Sequence, residues 1–155
     1  MISNVNLIGQ GESETTLDAG GSGTVIIMEG CQNNTILGLT ITGGLRTSGS
    51  NSADNPYQYS GGGMYLSLSS PTLTNITIIG NNADNGGGVY LYYSDPLLTN
   101  ISIIGNTAEG EPYGSGGGML LRYANPILAN VIISENYAVH ASGGMDLFYS
   151  NPILT

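Results

Sequence analysis

The chain reads as all-β, a right-handed parallel β-helix (solenoid) of about five coils, and three observations predict it. A block of roughly 25 residues returns along the chain, apolar residues inside each block alternate with a period of two, and Pro and Gly mark corners at fixed places in the block.

The block GGGMYLSLSSPTLTNITIIGNNADN begins at residue 61, returns as GGGVYLYYSDPLLTNISIIGNTAEG at 86 and as GGGMLLRYANPILANVIISENYAVHA at 116. A fourth copy, SGGMDLFYSNPILT, begins at 142 and stops part-way. The starts lie 25, 30 and 26 residues apart, and the longest block carries the polar insertion Glu109-Gly110-Glu111-Pro112-Tyr113-Gly114-Ser115. Stacked coils bury a face against each neighbour and accept insertions at their corners, so the pattern is that of a solenoid with one looped coil. We read 1–155 as a single domain, with irregular amino-terminal coils over 1–60 and regular repeats over 61–155, the last truncated.

Each block predicts short strands. Met64, Leu66 and Leu68 alternate with Tyr65 and Ser67, and Ile76 and Ile78 alternate with Thr77 and Ile79. Proline fixes φ and lacks the donor that a helix needs, so Ser70-Pro71, Asp95-Pro96, Asn125-Pro126 and Asn151-Pro152 mark one corner. The Gly runs mark another, because glycine permits left-handed or bulged backbone. Hydrogen-bonded strands lie about 4.8 Å apart, so equivalent side chains of successive coils should stack. The expected rows are Val5, Leu39, Ile76, Ile101 and Val131, then Leu7, Ile41, Ile78, Ile103 and Ile133. Two more hold Met64, Val89, Met119 and Met145, and Leu66, Leu91, Leu121 and Leu147.

Composition narrows the function. The 155 residues contain 11 Asp plus Glu against 2 Arg and no Lys, a formal net charge of -9. Such a surface gives phosphate backbones and anionic lipid nothing to bind, which argues against nucleic acid and membrane partners. No apolar run approaches the roughly 18 residues of a membrane span, and MISNVNLIGQG has neither a basic start nor a signal-type core. The expectation is a chain with neither leader nor anchor. Cys31 is alone, which excludes an internal disulfide or a multi-cysteine zinc site and predicts a buried, idle thiol.

The GGGxY…SxPxLxNxxIxGNxA pattern resembles the repeats of right-handed parallel β-helix proteins, the superfamily of pectate lyases and polymorphic outer-membrane proteins. The resemblance spans essentially 1–155, most sharply from 61, and implies a secreted or cell-surface setting. In the lyases of that superfamily an Arg or Lys base works beside calcium-binding Asp residues. This chain offers Arg46 and Arg122, the latter one coil before Asp146, and a single Arg and Asp make no family motif. No catalytic residue and no cofactor are therefore carried over.

Among the remaining candidates, Asn75, Asn100 and Asn130, with Asn4 in an earlier coil, hold one repeat position, and Asn81, Asn106 and Asn136 hold a second. Asn at a bend can bond both backbone and the next Asn in the stack, so both series read as structural ladders. The Gly runs lack the Lys, Ser or Thr and the helix of a phosphate loop. His140 reads as a solvated loop residue without triad partners, and the oxygen donors at Asn81, Asn82, Asp84 and Asn85 lack the regular Asp spacing of a calcium loop, so no metal site is expected.

The outward positions of the strand after each Gly run are more suggestive. They form the columns Tyr65, Tyr90, Leu120, Asp146 and Ser67, Tyr92, Arg122, Phe148. Pyranose C–H faces stack on aromatic faces while polar neighbours take hydroxyls, so Tyr65, Tyr90, Tyr92, Arg122, Asp146 and Phe148 form a candidate polysaccharide-binding face. The expected function is a non-catalytic binding or structural module, with a polysaccharide lyase or glycoside hydrolase as the competing class. Open strand edges recruit other strands, so the unfinished last coil predicts a homodimer through the carboxy-terminal end.

Overall fold

The computed structural model describes residues 1–47, 59–112 and 114–155. Among these residues there is no helix, and every pairing of the named strands is parallel. Three parallel sheets stack as in a β-solenoid.

The largest sheet holds β1 (Leu7–Ile8), β2 (Thr16–Asp18), β4 (Thr35–Thr42), β7 (Thr72–Ile79), β10 (Leu97–Ile104), β13 (Ile127–Ser134) and β16 (Ile153–Leu154). A second holds β3 (Ile26–Glu29), β6 (Met64–Ser67), β9 (Val89–Tyr92), β12 (Met119–Arg122) and β15 (Met145–Phe148). The third is built from two-residue strands, β5 (Leu45–Arg46), β8 (Asn82–Ala83), β11 (Thr107–Ala108) and β14 (Tyr137–Ala138).

The eight-residue strands turn a corner in their middle. In β7 the inward residues are Leu73, Ile76 and Ile78, so the alternation skips a step at Asn75. Asn75, Asn100 and Asn130 have φ of 52°, 54° and 52°, the left-handed conformation that asparagine tolerates among residues with a Cβ. Their exposed amides form the expected ladder, Asn100 Nδ2 donating to Asn75 Oδ1 at 3.0 Å and Asn130 Nδ2 to Asn100 Oδ1 at 2.8 Å. The second Asn series is internal: Asn81 and Asn106 are buried, and each coil's amide bonds the next.

Four aliphatic rows fill the interior with the register the repeats predict from Leu39, Ile41, Met64 and Leu66 onward. Ile26 and Met28 extend the last two rows backward, and a further inward row joins Leu7, Ile36, Leu73, Leu98 and Leu128.

The first coil departs from expectation. Leu7 stands opposite Ile36, and the partner of Ile41 is Leu17, because a loop over residues 10–14 separates β1 from β2. Val5 therefore lies outside its expected row and is 42% exposed. Asn4 bonds to Asn33, with Asn33 Nδ2 donating to its Oδ1 at 3.1 Å, while Gly38 takes the corner position of Asn75 with φ of 68°. Leu68 also differs: strict alternation points it inward, but a φ of 50° swings it out to 62% exposure.

The Gly runs divide their work. Gly61, Gly86 and Gly116 have φ between 57° and 73°, which residues with a Cβ resist. The second and third glycines of each run have ordinary φ but stack against backbone in the next coil, where a Cβ on Gly63 would lie 2.6 Å from the Gly88 carbonyl oxygen.

Candidate functional site

The site grows from the corner after each strand of the second sheet. Gly30, Leu68, Tyr93, Tyr123 and Tyr149 occupy this corner in successive coils, with φ of 62°, 50°, 45°, 52° and 49°. Their backbone continues the parallel ladder, Tyr93 N–H donating to the Arg122 carbonyl at 3.1 Å and Tyr123 N–H to the Phe148 carbonyl at 3.0 Å. The next residue clamps the turn. Ser94 Oγ donates to the Tyr92 carbonyl at 2.9 Å and accepts from Ser69 N–H at 3.0 Å, and Ser69 and Ser150 bond in the same way. A left-handed residue between two β residues throws its side chain off the edge of the sheet, which is why these rings reach solvent.

The three tyrosines form a ladder of their own. Tyr93 and Tyr123 lie 4.8 Å apart between ring centroids with planes 7° apart, and Tyr123 and Tyr149 lie 5.4 Å apart with planes 6° apart. Coplanar rings so close would interpenetrate, so the rings are stacked with a lateral offset. Tyr92 and Phe148 flank the ladder edge-on, at 4.7 Å and 77° from Tyr93 and at 4.6 Å and 84° from Tyr149. The Arg122 guanidinium sits 4.9 Å from the Phe148 centroid, a cation–π contact.

The residues singled out in the sequence spread over this corner and the sheet beside it. The register aligns Tyr65, Tyr90, Leu120 and Asp146 in one column and Ser67, Tyr92, Arg122 and Phe148 in the other. Phe148 is exposed, Tyr65, Tyr92, Arg122 and Asp146 are half-buried, and Tyr90 is only 2% exposed. Tyr90 stacks on Tyr65 at 5.4 Å and runs parallel to Tyr92 at 6.5 Å, so the buried ring packs against two half-buried ones and is not itself exposed. Arg46 lies 5.2 Å from the Tyr65 centroid at the other end of the row.

Sequence reasoning missed Tyr93, Tyr123 and Tyr149. The signal was a bulky residue three places before each corner proline: Leu68, Tyr93, Tyr123 and Tyr149 before Pro71, Pro96, Pro126 and Pro152. Of the polar candidates, Asn81 is held in the internal ladder and Asn82 Nδ2 donates to Glu109 Oε2 at 2.7 Å. His140 Nε2 lies 2.9 Å from Glu111 Oε2 between two exposed loops. Among the described residues, no three His, Cys, Asp or Glu converge as metal ligands. No family model, curated protein or solved structure matches the chain, so the geometry alone carries a functional reading.

Proposed function

We propose that the chain is a right-handed parallel β-helix of about five coils that acts as a non-catalytic binding module of secreted or cell-surface type. Its ligand is a polysaccharide laid along the corner formed by Tyr92, Tyr93, Tyr123, Phe148 and Tyr149, with Tyr65, Arg122 and Asp146 at its margins and Tyr90 buried against Tyr65 and Tyr92. The observation that carries this reading is the left-handed conformation of three successive tyrosines at a corner where Gly30 serves an earlier coil. A bulky side chain in that conformation costs about 1–2 kcal/mol, so keeping tyrosine there points to a use for the ring and hydroxyl. Aromatic edges and phenols spaced one coil apart offer a repeating polymer the same contact at each coil.

A glycan array run with reducing-end and unsaturated-product assays tests the proposal. Retention of a polysaccharide without turnover supports it. Turnover abolished by Arg122→Ala or Asp146→Asn would instead make the chain a lyase or glycosidase, and neither binding nor turnover would leave a structural role.

A further inference from the structure

We infer that the Tyr93–Tyr123–Tyr149 ladder is a site of oxidative tyrosine coupling, at which a peroxide-fed haem peroxidase joins Tyr123 covalently to a neighbour, foremost Tyr93. Two phenols couple through the carbons beside their hydroxyls, and the reaction needs oxidant access to the rings and close approach of those carbons; Tyr123 is half-buried and its two stacked neighbours are exposed. Tyr93 and Tyr149 are 48% and 75% exposed, and Tyr123 lies between them at 4.8 Å and 5.4 Å with nearly parallel planes. Nearly parallel planes at these centroid distances make the pairs offset stacks, and the exposed outer rings can swing the coupling carbons through the remaining distance.

Each phenol gives one electron and one proton to the oxidised peroxidase, which reduces one hydrogen peroxide to two waters for every two phenols. The two phenoxyl radicals carry spin on the carbons ortho to oxygen, and a carbon–carbon bond forms between one such carbon of each ring. The hydrogen on each coupling carbon moves to its oxygen, restoring two phenols. The product is two hydrogens lighter than the starting chain, and the coils on either side of the bond are stapled together.

Trypsin reads out the bond, because Arg46 and Arg122 are the only basic cleavage sites in the chain and Arg122 directly precedes Tyr123. A Tyr93–Tyr123 bond therefore holds fragments 47–122 and 123–155 together after digestion. The dilute full chain is treated with peroxidase and hydrogen peroxide, then examined for dityrosine fluorescence and for the joined fragment by mass spectrometry. The expected result is a joined fragment two hydrogens light, its yield independent of protein concentration. Tyr123→Phe, which keeps the ring and the stack, should abolish it. Tyr137→Phe, an exposed tyrosine on β14 in the third sheet, should leave it unchanged. The inference is overturned if Tyr123→Phe couples as the parent does, if coupling appears only between chains and rises with concentration, or if no dityrosine forms. Glycan binding is not needed for any of these outcomes.

Discussion

Asn106 accepts two hydrogen bonds from Asn81 on its Oδ1, one from the backbone N–H and one from Nδ2, each at 3.0 Å. Its own Nδ2 donates to the Ile78 carbonyl at 2.9 Å and to Asn136 Oδ1 at 3.0 Å. A single fully buried amide thus satisfies groups on three coils. Asn106→Ala would strand several of them, and each buried orphan costs about 1–3 kcal/mol, so we expect a loss of about 3 kcal/mol or more in urea unfolding. Asn100→Ala removes an exposed ladder amide and mainly pays for a left-handed alanine, about 1 kcal/mol. Equal losses for the two would show that the internal ladder is no more important than the external one.

The glycines separate conformational need from lack of space. A Cβ on Gly88 would lie 2.6 Å from the Gly118 carbonyl oxygen, backbone that cannot move without shifting a coil, so Gly88→Ala should cost more than about 3 kcal/mol. Gly105 has φ of 61° but nothing within 4 Å of its would-be Cβ, and Gly105→Ala should cost only about 1 kcal/mol. The register puts Glu135 at the Gly105 position, with φ of 57°. Glu135→Gly removes that strain and should stabilise the chain by about 0.5–1 kcal/mol, after the greater freedom of glycine in the unfolded state is subtracted. Thermal unfolding of the three variants checks the order.

These contrasts explain what the amino-acid pattern made legible. The rows through Ile76, Ile78, Met64 and Leu66 could be read because each repeats in coils of nearly equal length and period-two alternation holds between corners. Val5 and Leu7 could not be placed, because the polar loop over residues 10–14 resembles any turn while it displaces the pairing of everything before it. Leu68 and the tyrosines of its column escaped for a different reason. Alternation assumes extended backbone, and a single left-handed residue at the strand end reverses the direction in which the side chain points. The candidate face was thus half visible: Tyr92 and Phe148 obey alternation, and the ladder beside them violates it.

At the other extreme of the fold, β15 and β16 are the outermost strands of their sheets. Leu147, Ile153 and Leu154 are 47%, 54% and 70% exposed beside a hollow lined by Leu128, Val131, Ile133 and Met145. Unpaired edge groups next to apolar side chains recruit another strand, and a two-fold arrangement closes both copies at once. We expect these 155 residues in isolation to sediment as a dimer at micromolar concentration, and Ile153→Asp with Leu154→Asp to yield monomers. A parent that is strictly monomeric, or a dimer indifferent to the two aspartates, would rule this arrangement out.

Tyr123→Gly separates a ring kept for binding from a ring kept for stability. The substitution relieves a left-handed tyrosine, worth about 1–2 kcal/mol, and removes two stacking contacts worth about 0.5–1.5 kcal/mol each beyond their buried area. The two effects oppose one another, the stacks totalling about 1–3 kcal/mol against a relief of about 1–2 kcal/mol, so unfolding free energy should fall by no more than about 2 kcal/mol. Polysaccharide retention has no such compensation. Loss of the central phenol and of the alignment of Tyr93 with Tyr149 should weaken it about tenfold, the equivalent of about 1.4 kcal/mol. Affinity electrophoresis beside urea unfolding reads both quantities on the same variant. Weakened retention with a stability loss inside that bound is the expected pair; a larger stability loss with unchanged retention would make the ladder a structural spine and remove it from the binding face.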